Sequence, residues 1–133
     1  MGMKKLRFFL VLVLFVPLVA FTQNVSKKVE VYYFHNTSRC ITCKTVEAEA
    51  KLDIETLYPD FVKTGDLSFT SLNLEEEKGK LIAGKLGVSG QTLLLVKGES
   101  KIDITNEGFL YARTNPVKFK KIIKEKMDQL LDL

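Results

Sequence analysis

Only two cysteines and one histidine occur in the 133 residues. A metal centre built from those three alone would be incomplete, since structural zinc sites take four Cys or His ligands; carboxylates or a second chain would have to supply the rest. Proline is scarce too. Of the three, Pro17 lies in an apolar run near the start, which leaves Pro59 and Pro116 as the breaks in the rest of the chain. Long hydrophobic runs are missing: Phe8 to Phe21 is fourteen residues long and interrupted by Pro17, whereas a membrane span takes roughly 20. No repeat or low-complexity linker divides the chain. The net charge of +4 carries little either, because Lys4, Lys5 and Arg7 supply three of those charges and leave 4 − 3 = +1 for the remainder. The basicity is therefore no argument for nucleic acid as a partner.

What the first residues do have is order. A short basic stretch without acids, then an apolar run, then the small residues Ala20 and Thr22, is the layout of a secretory signal peptide. The expectation is a signal peptide over residues 1–22, cleaved before Gln23, and a single domain over residues 23–133. The localisation that follows is exported, periplasmic or extracellular, where disulfides persist. No cysteine lies near the cleavage point to take a lipid, so the membrane becomes a partner only if the segment stays uncleaved.

The remaining stretch of about 110 residues suffices for one modest core. Val29–His35 is β-branched and aromatic and reads as a buried strand. A loop, Asn36-Thr37-Ser38-Arg39, leads to the two cysteines in Cys40-Ile41-Thr42-Cys43-Lys44. From Cys40 to about Tyr58 the pattern is helical, with Val46, Ala50, Ile54 and Leu57 on one face. Pro59 and Gly65 break the chain. Leu67–Leu74 alternates as a strand does. Glu75–Leu86 reads as a helix with Glu75, Glu76 and Glu77 in its first turn, where the dipole favours acids, and Gly87 as its cap. Thr92–Val96 and Lys101–Thr105, joined by the turn Lys97–Ser100, form a hairpin. Asn115 caps a last helix that opens on Pro116 and runs to about Leu131. Its lysines 118, 120, 121, 124 and 126 form the solvated face opposite Val117, Ile122, Ile123, Met127 and Leu130. The first two strands, separated by a helix, should be parallel in one sheet, and helices should cover both faces.

A Cys-x-x-Cys pair where a strand feeds a helix is the arrangement of a dithiol redox site. The helix N-terminus offers unpaired N–H groups and roughly half a positive charge, which stabilise a thiolate, the reactive form of cysteine. Cys40, at the helix start, should be the more exposed sulfur and Cys43 the more buried. Arg39 beside them is a candidate for lowering the Cys40 pKa from the free value of about 8.5. The same pair is also compatible with an inert structural disulfide or with metal ligation. His35 reads as a strand-ending residue with a satisfied hydrogen bond rather than a general base, and Tyr32 and Tyr33 as core and face residues.

With these elements in place the chain resembles the thioredoxin superfamily. The resemblance rests on the strand–loop–Cys40-Ile41-Thr42-Cys43-Lys44–helix segment, on the β-α unit that follows, on the segment Gly87-Val88-Ser89-Gly90-Gln91-Thr92-Leu93-Leu94-Leu95-Val96, and on the amphipathic C-terminal helix. It implies an α/β thioredoxin-like fold: a central mixed four-stranded sheet in the order β-α-β-α-β-β-α, with helices on both faces. It implies a thiol–disulfide oxidoreductase in which Cys40 attacks and Cys43 resolves, with no cofactor, acting on protein thiols or disulfides. If the enzyme is a reductant, a membrane electron-transfer protein must recharge it. Lys44, Ser89, Gln91 and Thr92 join Arg39 as candidates for tuning the site or lining the substrate loop. Three departures from the family pattern are visible. Gln91 stands where the family has a cis-proline. The strand before the dithiol has Val31, Tyr33 and Phe34 where thioredoxin keeps a buried acid. The segment Asn106–Arg113 has no counterpart and reads as an insertion, whose Phe109, Leu110 and Tyr111 call for burial. Two other functions fit such a chain: a non-catalytic binding module using the Ser89–Gln91 loop, or a metal-handling dithiol protein.

Overall fold

The computed structural model describes residues 28–133; the signal-peptide expectation for residues 1–22 lies outside them. Strand β1 (Val29–His35) runs beside β2 (Leu67–Asn73) in parallel and beside β3 (Thr92–Lys97) in antiparallel, and β4 (Ser100–Asp103) closes the sheet as an antiparallel edge. The order is β2-β1-β3-β4. The alternation of β1 divides its side chains between two layers. Val29, Val31 and Tyr33 enter a large core with α1 (Ile41–Leu57) and the C-terminal helix α5 (Pro116–Leu131), whereas Phe34 and Tyr32 join a smaller core under α3 (Glu77–Leu86). The expected sheet and its two covered faces are therefore present.

Two short helices are added to the expected order. Pro59 does break the first helix, but it also opens α2 (Pro59–Thr64), where its missing N–H costs nothing at the first helical position. Gly65, at φ 83°, ends α2 in the left-handed region that glycine tolerates. The segment Asn106–Arg113 is not an irregular insertion: α4 spans Thr105–Tyr111 and lies on α1 and α5. Gly108 makes that approach possible, since a Cβ there would meet Val46 Cγ1 at 3.1 Å. Of its three apolar residues, Phe109 and Tyr111 pack against the large core, but Leu110 stays 60% exposed.

Smaller corrections have local causes. Cys40 is the N-cap of α1 rather than its first residue. Glu75 and Glu76 precede α3, so only Glu77 lies in its first turn; Glu75 is held instead by the loop before the cysteines. Strand β4 ends at Asp103, because the Asp103 carboxylate accepts from the Thr105 amide and hydroxyl at 2.9 and 2.5 Å and turns the chain into α4. Val117 is 80% exposed, and the buried face of α5 is Phe119, Ile123, Met127 and Leu130. Asn115 and Pro116 open α5 as expected, Asn115 Oδ1 accepting from the Lys118 amide at 3.0 Å.

Candidate functional site

Strand β1 ends at His35 and delivers a four-residue loop, Asn36–Arg39, to the start of α1. The loop is pinned from the α3 side. Glu75 Oε2 accepts from the Thr37 amide at 2.6 Å, Asn73 Nδ2 donates to Thr37 Oγ1 at 2.8 Å, and the Leu74 amide donates to His35 O at 2.7 Å. The hydrogen bonds from Thr37 hold the Glu75 carboxyl below its ordinary value. The dithiol is thus presented by a fixed turn.

Cys40 and Cys43 are joined as a disulfide, their Cα atoms 5.1 Å apart. Cys40 is exposed and Cys43 only 4% exposed, the asymmetry expected from their places on the helix. Cys40 Sγ also serves as the N-cap acceptor of α1, taking the Cys43 amide at 3.1 Å. A sulfur that receives a helix N-terminal N–H is a sulfur whose anionic form is favoured on reduction. Among the described residues no group of three His, Cys, Asp or Glu side chains gathers as a metal-ligand set. His35 meets the backbone oxygen of Asn36 through Nδ1 at 2.9 Å, in keeping with a strand-ending role.

Two residues behind the dithiol were not singled out as site residues in the sequence. Tyr33, fully buried, donates its hydroxyl to Cys43 O at 2.9 Å. Burial and the neighbouring Glu47 charge push its pKa up to about 12, so it remains a neutral donor and fixes the first turn of α1 to the sheet. Glu47 is one turn beyond Cys43 and pairs with Arg39, both side chains being 24% exposed. Burial pushes the Glu47 carboxyl up, but hydrogen bonds from Ser71 and Arg39, the Arg39 charge and His35 outweigh it and hold the group below its ordinary value. Arg39 is therefore not a lone cation beside Cys40: its charge is shared with a carboxylate, and its influence on the sulfur is correspondingly reduced. The i, i+4 spacing from Cys43 to Glu47 was the available sequence signal for that partner.

The other candidates come from the far side of the sheet end. Thr92 pairs with Phe34 in the register, so the Ser89–Thr92 segment emerges at the same end of the sheet as the dithiol loop. Ser89 is exposed, Gln91 and Thr92 are half-buried, and Thr92 Oγ1 donates to Gly90 O at 2.9 Å. A cleft of about 460 Å³ lies along this segment, lined also by Val88, Lys101 and Asp103. Gln91 Oε1 points into the interior without a hydrogen-bond partner. Lys44 is exposed on the first turn of α1. Helix α4 spans the two sides: its Thr105 hydroxyl accepts from the Leu93 amide at 2.9 Å, and beyond its C-terminus Arg113 Nη1 donates to Thr42 Oγ1 at 3.4 Å. Nothing in the sequence marked Arg113, because the segment that carries it matched no expected element.

No family model and no curated protein sequence matches the chain. Among solved structures it is similar to thioredoxin O2 from Arabidopsis thaliana in the oxidized state, with 23% identity over 74% of this chain and 75% of that one, at a TM-score of 0.51. Fasciola hepatica thioredoxin aligns at 16% identity over 74% of this chain and 81% of that one, at a TM-score of 0.46. The first of these carries the fold assignment.

Proposed function

From a thioredoxin-like fold with a disulfide at the start of its first helix, we propose that the protein is an exported thiol–disulfide oxidoreductase in which Cys40 attacks and Cys43 resolves. The observation that carries this is the asymmetry of the pair: Cys40 is open to solvent and holds a helix N–H on its sulfur, while Cys43 is enclosed.

In the reducing direction the Cys40 thiolate attacks one sulfur of a substrate disulfide. The Cys40–substrate bond forms as the substrate S–S bond breaks, and the departing thiolate takes a proton from solvent. Cys43, as thiolate, then attacks Cys40 Sγ. The intramolecular disulfide forms, the second substrate thiolate leaves, and two electrons have passed from dithiol to substrate. Oxidation of a substrate dithiol is the same path reversed. Which way it runs is set by the reduction potential and by the partner that recharges the pair. In an oxidising compartment a reductant needs a membrane electron-transfer protein with access to cytoplasmic electrons, whereas an oxidant needs an electron acceptor.

The test is a pair of serine substitutions. Cys43→Ser should accumulate mixed disulfides with substrate proteins through Cys40, and Cys40→Ser should accumulate few. Equal trapping, or fast alkylation of Cys43 ahead of Cys40 in the reduced protein at mildly acidic pH, would reverse the assignment of roles. Trapping by neither variant would return the pair to a structural disulfide.

A further inference from the structure

The rim of the dithiol is electrically lopsided. On the α3 side the carboxylate nearest the loop is Glu75, engaged with the Thr37 amide. Behind the dithiol, Glu47 is neutralised by Arg39. On the α4 side stands Arg113, exposed, with its guanidinium on the hydroxyl of Thr42, a residue lying between the two cysteines. Lys44 is exposed two positions after Thr42, about 200° further round the helix at 3.6 residues per turn. Neither Arg113 nor Lys44 has a carboxylate within 4.0 Å among the described residues. Two cations without a salt-bridge partner among the described residues therefore flank the first turn of α1, which Cys40 caps.

The position of Arg113 is not incidental to the fold. Helix α4 is tied to the start of β3 through Thr105 and seated on α1 and α5 by the absence of a Cβ at Gly108. Its C-terminal end is thereby brought to the dithiol, and Asn115 N donates to Tyr111 O at 2.8 Å to hold the turn that carries Arg113. A guanidinium presents a planar fork of N–H donors suited to a carboxylate. Among the described residues one weak contact, to Thr42, occupies it.

We propose that Arg113 is a specificity-determining residue that binds a carboxylate side chain next to the reacting cysteine of a protein disulfide, so that the substrates are disulfides set in acidic sequence. This rests on the redox reading of Cys40 and Cys43. Lys44 supplements the attraction from the opposite flank, and Glu75 disfavours an acid on the α3 side, which orients the substrate chain.

The test is single-turnover reaction of the pre-reduced protein with two short peptide disulfides, identical except for Glu or Lys on both sides of each cysteine, and with an uncharged small disulfide. The acidic peptide should react about fivefold faster than the basic one, the size expected of exposed charge pairs. That ratio should shrink with added salt. Arg113→Lys, which keeps the charge and loses the planar fork, should keep only part of the ratio, and Arg113→Glu should bring it below one. A structural role for Arg113 would slow both peptides together and leave the ratio unmoved. A wild-type ratio near one, or a ratio unchanged in Arg113→Glu, overturns the proposal while leaving the dithiol chemistry intact. Failure of the wild-type protein to reduce even the uncharged disulfide overturns the redox reading, and the proposal with it.

Discussion

Asp53 is the buried charged residue of the described structure, 3% exposed on the face of α1 that also carries Ala50 and Ile54. One carboxylate oxygen has no hydrogen-bond partner, and the other lies 3.9 Å from Lys120 Nζ. Burial pushes its pKa from 3.8 up to about 6, with Lys120 opposing and Glu49 adding to the rise. A carboxyl with a raised folded-state pKa binds its proton more tightly in the native state than in the unfolded one. Its charge therefore costs stability above pH 6, and that cost is relieved as pH falls toward 3.8. Glu47, Glu75 and Asp128 are shifted downward and act in the opposite sense, losing their contribution only at lower pH. Asp53→Asn should raise the melting temperature at pH 7.5, a gain of about 1 kcal/mol of stability, and the difference from wild type should shrink as pH falls through 6 and vanish only below 3.8. A variant less stable than wild type at pH 7.5 would show that the Lys120 pair outweighs the burial. At this scale the sequence was most legible where a residue's role is local. The exposed and buried cysteines, the Asn115 cap and the Gly87 cap all follow from position on a helix. Tyr33 with the Cys43 carbonyl and Arg113 with Thr42 depend on packing between elements, which no local pattern encodes; for Glu47 with Arg39 the spacing from Cys43 was the one local signal.

Helix α3 closes onto the end of β2 at a single glycine. A Cβ on Gly79 would lie 1.8 Å from Asn73 O and 2.5 Å from its carbonyl carbon. That carbonyl also accepts the Glu76 amide at 3.2 Å, and the Asn73 side chain holds the turn, so the backbone there has no freedom to withdraw. Gly84, on the same helix, has no atom within 4 Å of its absent Cβ. The two positions should respond oppositely to alanine. Gly79→Ala should destabilise by about 2 kcal/mol or more, since an overpacked contact to backbone outweighs the helix-propensity gain. Gly84→Ala should stabilise by up to about 1 kcal/mol. Denaturant midpoints of the two variants decide it, and a neutral Gly79→Ala would mean that α3 moves freely on the sheet. Strands β1 to β3 and helices α1, α3 and α5 could be read from alternation, periodicity and caps. The short helices could not. In α2 the opening Pro59 doubles as the break of the preceding helix. In α4, seven residues long, Phe109, Leu110 and Tyr111 are contiguous rather than spaced at a helical period, and Gly108 reads as a helix weakener until its contact with Val46 is known.

For the whole molecule, the described fold starts immediately at the sheet. Val29 N donates to Asp66 O at 2.8 Å and its side chain is fully buried, so β1 is engaged from its first residue. Between Gln23 and that residue lie five residues, Asn24, Val25 and Ser26 being uncharged and Lys27 and Lys28 basic. Cleavage before Gln23 would therefore remove no residue of the described core, and it would take three of the four net positive charges with it. No helix among the described residues is long and apolar enough to cross a membrane. The proposed export would place the exposed Cys40–Cys43 pair where disulfides persist. Protein isolated from its native cells under acid quenching should therefore have an intact mass corresponding to a chain beginning at or near Gln23, and it should be recovered outside the cytoplasm. A full-length mass in the membrane fraction would make the N-terminal segment an anchor. A full-length mass in the cytoplasmic fraction would overturn export, and with it the need for a membrane partner to recharge the dithiol.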